Sequence, residues 1–126
     1  MKVLIIEDDP LLSEMVALRL QKDGYEVSSS FNGKEGLVKA KEVIPHIILL
    51  DLNMPIMNGF EVLEKLKQDS EMKEIPVIIF SSLGDREENV QKCKALGADD
   101  FIIKSQLSLH DISGRITEVA KRRGVL

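Results

Sequence analysis

The sequence predicts an α/β protein, a doubly wound five-stranded parallel sheet covered by helices on both faces. Short apolar runs of β type, at residues 3–6, 25–30, 47–50, 77–80 and 101–103, alternate with longer segments whose apolar residues recur at spacings of three and four. Each run is followed by such a segment, giving five βα units in succession. Runs such as IILL at 47–50 are apolar throughout, the pattern of a strand buried on both sides rather than one with a wet face. Right-handed crossovers then leave the doubly wound sandwich as the topology.

The helix starts can be read in order. After the first run, Asp9 followed by Pro10 opens a helix over 10–22, with proline at the first helical position. After the second, Asn32 with Glu35 has the spacing of a capping box and opens 33–43. Asn58 with Glu61 does the same for 59–67, and Asp85 with Glu88 for 86–96. Ser108 with Asp111 opens the last helix, which sets Leu109, Ile112, Ile116, Val119 and Ala120 on one face. Gly114 interrupts that helix at a cost of roughly 1 kcal/mol against alanine, so it is expected to be the weakest of the five.

Composition excludes several function classes. A chain of 126 residues with 44% apolar and 30% charged side chains is one ordinary domain that folds alone. Seventeen basic against twenty-one acidic residues give a net charge of -4, which offers no general attraction to nucleic acid, so direct binding to it is not expected. The opening MKVLIIEDDP is too acidic, and its apolar run too short, for a signal peptide. No segment approaches the length of a membrane span, so no membrane partner is expected either. A single cysteine, Cys93, excludes an internal disulfide and favours a reducing, cytoplasmic setting; three residues from both Val90 and Leu96, it reads as a core position.

The stretch HIILLDLNMP, residues 46–55, raises the functional question, because a wholly apolar strand ends on a carboxylate, Asp51. In doubly wound sheets ligands sit beyond the carboxyl ends of the strands. Four of the five ends carry complementary polar groups: Glu7, Asp8 and Asp9 after the first, Asp51 after the third, Ser81 and Ser82 after the fourth, and Lys104 after the fifth. Clustered acids repel one another, and a hard divalent cation relieves that repulsion with oxygen ligands; magnesium, which takes one or two carboxylates and leaves room for phosphate oxygens, fits best. A hydroxyl and an ammonium beside it are what a bound phosphoryl group needs. Each residue also has a plain structural reading. Asp9 reads as a helix cap rather than a ligand because Pro10 follows it. Alone, Asp51 is equally a turn residue, the serines loop residues and Lys104 a solvated charge. Their shared placement at one edge carries the functional reading. His46 and His110 have no second ligand at metal spacing, and the terminal KRRG, residues 121–124, complements a helix dipole.

The stretches VLIIEDDP, IILLDLNMPIMNGFEVLEKLK, IPVIIFSS and GADDFIIK closely resemble the receiver domain of bacterial two-component response regulators, the family of the single-domain chemotaxis regulator. The resemblance covers essentially the whole chain, 1–126, as one receiver domain with no output domain, acting alone or cut from a larger regulator. It implies the flavodoxin-like strand order 2-1-3-4-5. It also implies Asp51 as phosphoacceptor, Glu7 and Asp8 as the acidic pair holding Mg2+, Asn53 as a ligand through its backbone carbonyl, and Ser81 and Lys104 as the groups that meet the phosphoryl oxygens. Phe101 falls at the aromatic switch position. A histidine kinase or histidine phosphotransfer protein would be the donor. The face made by the fourth helix, fifth strand and fifth helix would bind a downstream protein or form a phosphorylation-dependent dimer. Two departures stand out: Ser105 replaces the proline that usually follows the lysine, so a trans Lys104–Ser105 bond is expected, and Phe101 lacks a tyrosine hydroxyl.

Two other classes fit less well. An aspartate-nucleophile phosphatase of the haloacid dehalogenase type needs a second aspartate two residues after the nucleophile, where this chain has Asn53. A nucleotide-binding flavodoxin-like module needs a Gly-, Ser- or Thr-rich loop after the first strand, where this chain has EDDP.

Overall fold

The computed structural model describes residues 1–82 and 87–126. Five strands and five helices alternate: β1 (Lys2–Ile6), α1 (Pro10–Lys22), β2 (Glu26–Ser30), α2 (Gly33–Val43), β3 (Ile47–Leu50), α3 (Gly59–Gln68), β4 (Val77–Ser81), α4 (Glu87–Ala95), β5 (Asp100–Ile103) and α5 (Leu109–Arg122). All pairings are parallel, in the order β2-β1-β3-β4-β5. The expected doubly wound sheet is therefore present, with the strand order implied by the family resemblance.

Side chains alternate across a strand with period two, and this explains the wholly apolar runs. Leu4, Ile6, Ile48, Leu50 and Ile79 join the core under α2, α3 and α4, while Val3, Ile5, Ile47, Leu49, Ile78 and Phe80 join the core under α1 and α5. Every residue of β3 is therefore buried, half to each side. Each such side chain stabilises the fold by roughly 1.5–3 kcal/mol. A polar residue in the middle of β3 would be desolvated whichever face it took.

The caps follow the sequence signals. Asp9 Oδ1 accepts from the backbone N–H groups of Leu11 and Leu12, Asn32 Oδ1 from Glu35, and Asn58 Oδ1 from Glu61. The complete reciprocal box occurs at α5, where the Ser108 hydroxyl accepts from Asp111 N–H and the Asp111 carboxylate accepts from Ser108 N–H. The expected Asp85–Glu88 cap and the first residue of the 86–96 helix fall on residues outside those described.

The expectation of a weak last helix is not matched by its packing. α5 runs unbroken through Gly114 and buries Ile112, Ser113, Ile116, Val119 and Ala120, whereas α4 buries only Cys93. Tertiary burial outweighs a propensity deficit of about 1 kcal/mol. The terminal arginines do more than complement a dipole. Arg123 pairs with the Asp99 carboxylate and donates to the Glu74 carbonyl at 3.1 Å, and Arg122 donates to the Asp99 carbonyl at 3.0 Å, tying the end of α5 to the entry of β5. The other side of Asp99 accepts from Val77 N–H at 2.9 Å, at the start of β4.

One glycine positions the edge of the sheet where β3 ends. Gly59 N–H donates to the Leu52 carbonyl at 2.9 Å, and a Cβ at position 59 would come within 2.6 Å of Leu52 Cα and closer still to the Asp51 carbonyl. Gly59→Ala is expected to destabilise the protein by about 1–3 kcal/mol, because backbone rather than a movable side chain blocks the methyl group. Gly114→Ala is expected to act oppositely. Its Cβ meets nothing within 4 Å, so helix propensity alone should raise stability by about 0.5–1 kcal/mol. Urea denaturation of both variants beside wild type reads the two signs directly.

Candidate functional site

The register of the sheet converts residues far apart in sequence into one cluster. β1 and β3 run side by side with Ile6 opposite Leu50, so the residues that follow them, Glu7 and Asp51, emerge together. Asp51 N–H donates to the Ile6 carbonyl and Glu7 N–H to the Ser30 carbonyl, which locks both backbones as they leave the sheet. Carboxylate oxygens of Glu7, Asp8 and Asp51 all lie within 4.8 Å of one another. Glu7 and Asp51 are almost fully buried, at 1% and 2% exposure, while Asp8 is exposed at the mouth.

Lys104 enters from the end of β5. Its Nζ stands 2.5 Å from Glu7 Oε1 and 3.4 Å from Asp51 Oδ1, with the Phe80 ring 5.3 Å away on the adjoining strand. The sequence placed Lys104 at this edge but gave no sign that its primary partner is Glu7. One ammonium faces three carboxylates, so the cluster stays short of positive charge. Burial first, and the facing Asp51 carboxylate second, push Glu7 up to about 8 against the opposing pull of Lys104. The same two causes raise Asp8 above the usual aspartate range.

The cluster fits a divalent cation on an observation independent of charge counting. Glu7 Oε2 is buried with no hydrogen-bond partner, although buried polar atoms are almost always satisfied. A carboxyl oxygen without a partner, in a set of hard oxygen ligands, is what a magnesium ion would complete once the Glu7 proton has left. Asp9 stands apart from the cluster, its side chain engaged in capping α1.

Asn53 and Ser81, the other two expected site residues, are also brought to this edge. Asn53 N–H donates to Asp51 Oδ1 at 3.3 Å, bending the chain after β3 back over the carboxylate. Ser81 is the fully buried last residue of β4, and its carbonyl accepts from Lys104 N–H at 3.2 Å. No cis peptide occurs among the described residues, so the Lys104–Ser105 bond is trans, as expected.

The loop after Asp51 also holds a residue the sequence did not single out. Ile56 lies in the β3–α3 loop at φ +71°, where Met57 N–H donates to the Pro55 carbonyl at 2.7 Å. That three-residue turn is strained for a β-branched residue, at a cost of about 1–2 kcal/mol, and Ile56 remains 75% exposed. Nothing in the local pattern signals a positive φ, because the residue types that favour it are glycine and asparagine.

Residues 3–116 match the family model for the response regulator receiver domain. The chain belongs to that family. The receiver domain is similar, at 32% identity over 96% of its length, to the DNA-binding dual master transcriptional regulator RpaA of Synechocystis, of which it covers 49%. It is 33% identical over 97% of its length to the response regulator ArlR of Staphylococcus saprophyticus, covering 53% of that protein. The receiver domain thus spans about half the length of these curated relatives. Among solved structures, the chemotaxis protein CheY4 of Vibrio cholerae superposes with a TM-score of 0.87 at 31% identity, covering 94% of this chain and 97% of that one. A CheY-like receiver from Methanospirillum hungatei superposes with a TM-score of 0.90 at 27% identity, covering 98% and 95%. The chain is therefore a receiver domain of two-component signalling, a signalling module rather than a classical enzyme, and receiver domains as a family interact with histidine kinases. Among the described residues no helix is long and apolar enough to cross a membrane.

The raised Glu7 group is expected to make both stability and the binding of a cation pH-dependent. Between the ordinary value near 4.5 and about 8 the folded chain holds a proton that the unfolded chain has lost. The metal-free fold is therefore stabilised below that window and loses the contribution as pH rises through it. A cation must displace the same proton. Magnesium is expected to raise the melting temperature only slightly near about pH 6 and much more near about pH 8.5, releasing protons on binding. Calorimetry in buffers of different ionisation enthalpy checks the proton release, and thermal melts check the pH trend.

Proposed function

We propose that this receiver accepts a phosphoryl group on Asp51 from the phosphohistidine of a histidine kinase or histidine phosphotransfer protein, and that the modified domain then presents an altered surface to a downstream protein. One observation carries the reading: Asp51 is an almost fully buried carboxylate at a strand end, gripped by Lys104 and Asn53 N–H and adjoining an acidic pair that lacks a full set of partners.

In the transfer, an Asp51 carboxylate oxygen supplies the electron pair for the new P–O bond. The P–N bond to the donor imidazole breaks, and its electron pair stays on that nitrogen. Glu7, Asp8, Asp51 and the Asn53 carbonyl would hold Mg2+, which supplies positive charge to the phosphoryl oxygens when bound. Lys104 needs little movement to add its own charge, since it already sits within 3.4 Å of the nucleophile. The Ser81 hydroxyl, at the end of the neighbouring strand, would donate to another phosphoryl oxygen. Positioned charge of this kind accounts for a domain that assists its own phosphorylation and dephosphorylation.

The signal would leave through β4, because Ser81 ends that strand and the chain continues towards α4, the helix held by one buried side chain. Half-buried Phe101 borders a cavity of about 220 Å3 beneath α4, lined also by Val90, Cys93 and Ala98, with room for the ring to turn inward. The face of α4, β5 and α5 would then change shape for a protein target or a phosphorylation-dependent dimer. The DNA binding named for one relative belongs to that longer protein. The reading places this domain in the cytoplasm, with protein partners and no direct contact to nucleic acid or membrane.

Incubation with acetyl phosphate should add one phosphoryl group to wild type only when magnesium is present, as read by intact mass. Asp51→Asn should abolish the adduct, because an amide is a poor nucleophile. An undiminished adduct in the variant would overturn the assignment.

A further inference from the structure

The two edge strands of the sheet are finished differently. At β5, Arg115 reaches round to the Phe101 carbonyl and forms a two-point pair with Asp100. At β2, no described strand lies on the outer side. Glu26 N–H donates to the Met1 carbonyl and the Ser30 carbonyl accepts from Glu7 N–H, so the even-numbered residues address β1 and the backbone groups of Val27 and Ser29 point outward. Within EVSSS there is no proline, lysine or bulge to blunt the edge, and the strand's one charge, Glu26, lies at its first residue.

The helices on either side of that edge share a pattern. On α1, Leu18 is 59% exposed and is flanked four residues away on each side by Glu14 and Lys22; on α2, Val38 is 63% exposed and is flanked likewise by Lys34 and Glu42. Among the described residues none of these four charges has an ion-pair partner within the chain. Each helix meets the strand along an open groove, of about 450 Å3 on the α2 side and about 430 Å3 on the α1 side. Ser29 and Phe31 line both grooves, and Val38 shares the α2-side groove with Ser29.

We propose that β2 is a self-association edge, through which two copies of this chain pair antiparallel to form one continuous sheet. A two-fold axis normal to the sheet at Ser29 sets Ser29 against Ser29 of the second copy as a hydrogen-bonded pair and Val27 against Phe31. The same rotation lays α1 against α1 and α2 against α2 in opposite directions. Val38 then meets Val38, while Lys34 meets Glu42 at both ends of the α2 pair. A residue midway between opposite charges is self-complementary under a two-fold, and on α2 that residue, Val38, borders the strand position on the axis. The strands of the two copies run in opposite directions, so their Asp51 sites open at opposite ends of the joint sheet and stay accessible. This surface is separate from the face of α4, β5 and α5, and its use requires no phosphoryl group.

Sedimentation of the full chain, with and without beryllofluoride and magnesium, tests the proposal. The expected species has twice the 14.1 kDa monomer mass under both conditions. Lys34→Glu should weaken the dimer by about tenfold, since both copies then set like charges together, and Lys34→Glu with Glu42→Lys should restore it. Ser29→Pro removes an outward N–H while sparing the bonds to β1, and should give monomer. Should that variant fail to fold, the charge swap decides alone. A wild type that stays monomeric to about 1 mM, a dimer that appears only with beryllofluoride, or a charge swap that brings no recovery would overturn the proposal.

Discussion

The structure depends on keeping three carboxylates within a few ångströms of each other at the edge of an apolar sheet. Bringing Glu7 beside Asp51 is unfavourable on two counts, since both leave water and both carry the same charge. Apolar strands β1 and β3, buried on both faces, hold their backbones in register and offset that cost. Lys104 relieves part of the repulsion, and protonation of Glu7 relieves more. What is left over, a buried Glu7 oxygen without a partner, is where a cation would complete the proposed site.

That tension explains how rigidity is distributed. The β3–α3 connection has little freedom, with Gly59 pressed against the Asp51 carbonyl and Ile56 held at positive φ. Asp51, the proposed nucleophile, is therefore fixed by backbone, which would suit a group that meets an incoming phosphorus in line. α4 is attached by much less buried surface than α5. Elements that move in a switch come from the less stable parts of a fold, which is why the proposed change would enter at α4, beside the strand ending in Ser81.

Much of this was legible in sequence because it is local. Caps act over three residues and periodicity over one or two turns, so Asp9, Asn32, Asn58 and Ser108 announced their helices and the apolar runs announced their strands. Asp9 was separable from Asp8 as a cap because a proline follows it. Gly114 misled for the same reason. Propensity is a local quantity, whereas α5 is held by side chains buried against the sheet.

By itself the sequence determined five βα units, a two-sided sheet and the set of polar groups at its carboxyl edge. Resemblance to the receiver family added the strand order and the roles of those groups. Only the tertiary structure decided that Lys104 binds Glu7 more closely than Asp51, across ninety-seven residues of chain. It alone showed that Arg123 clasps Asp99, that Glu7 keeps an unsatisfied oxygen, and that β2 lies open at the edge of the sheet. The division is physical. Short-range preferences are written in neighbouring residues, while charge balance and edge exposure depend on distances that exist only after the strands have taken their places.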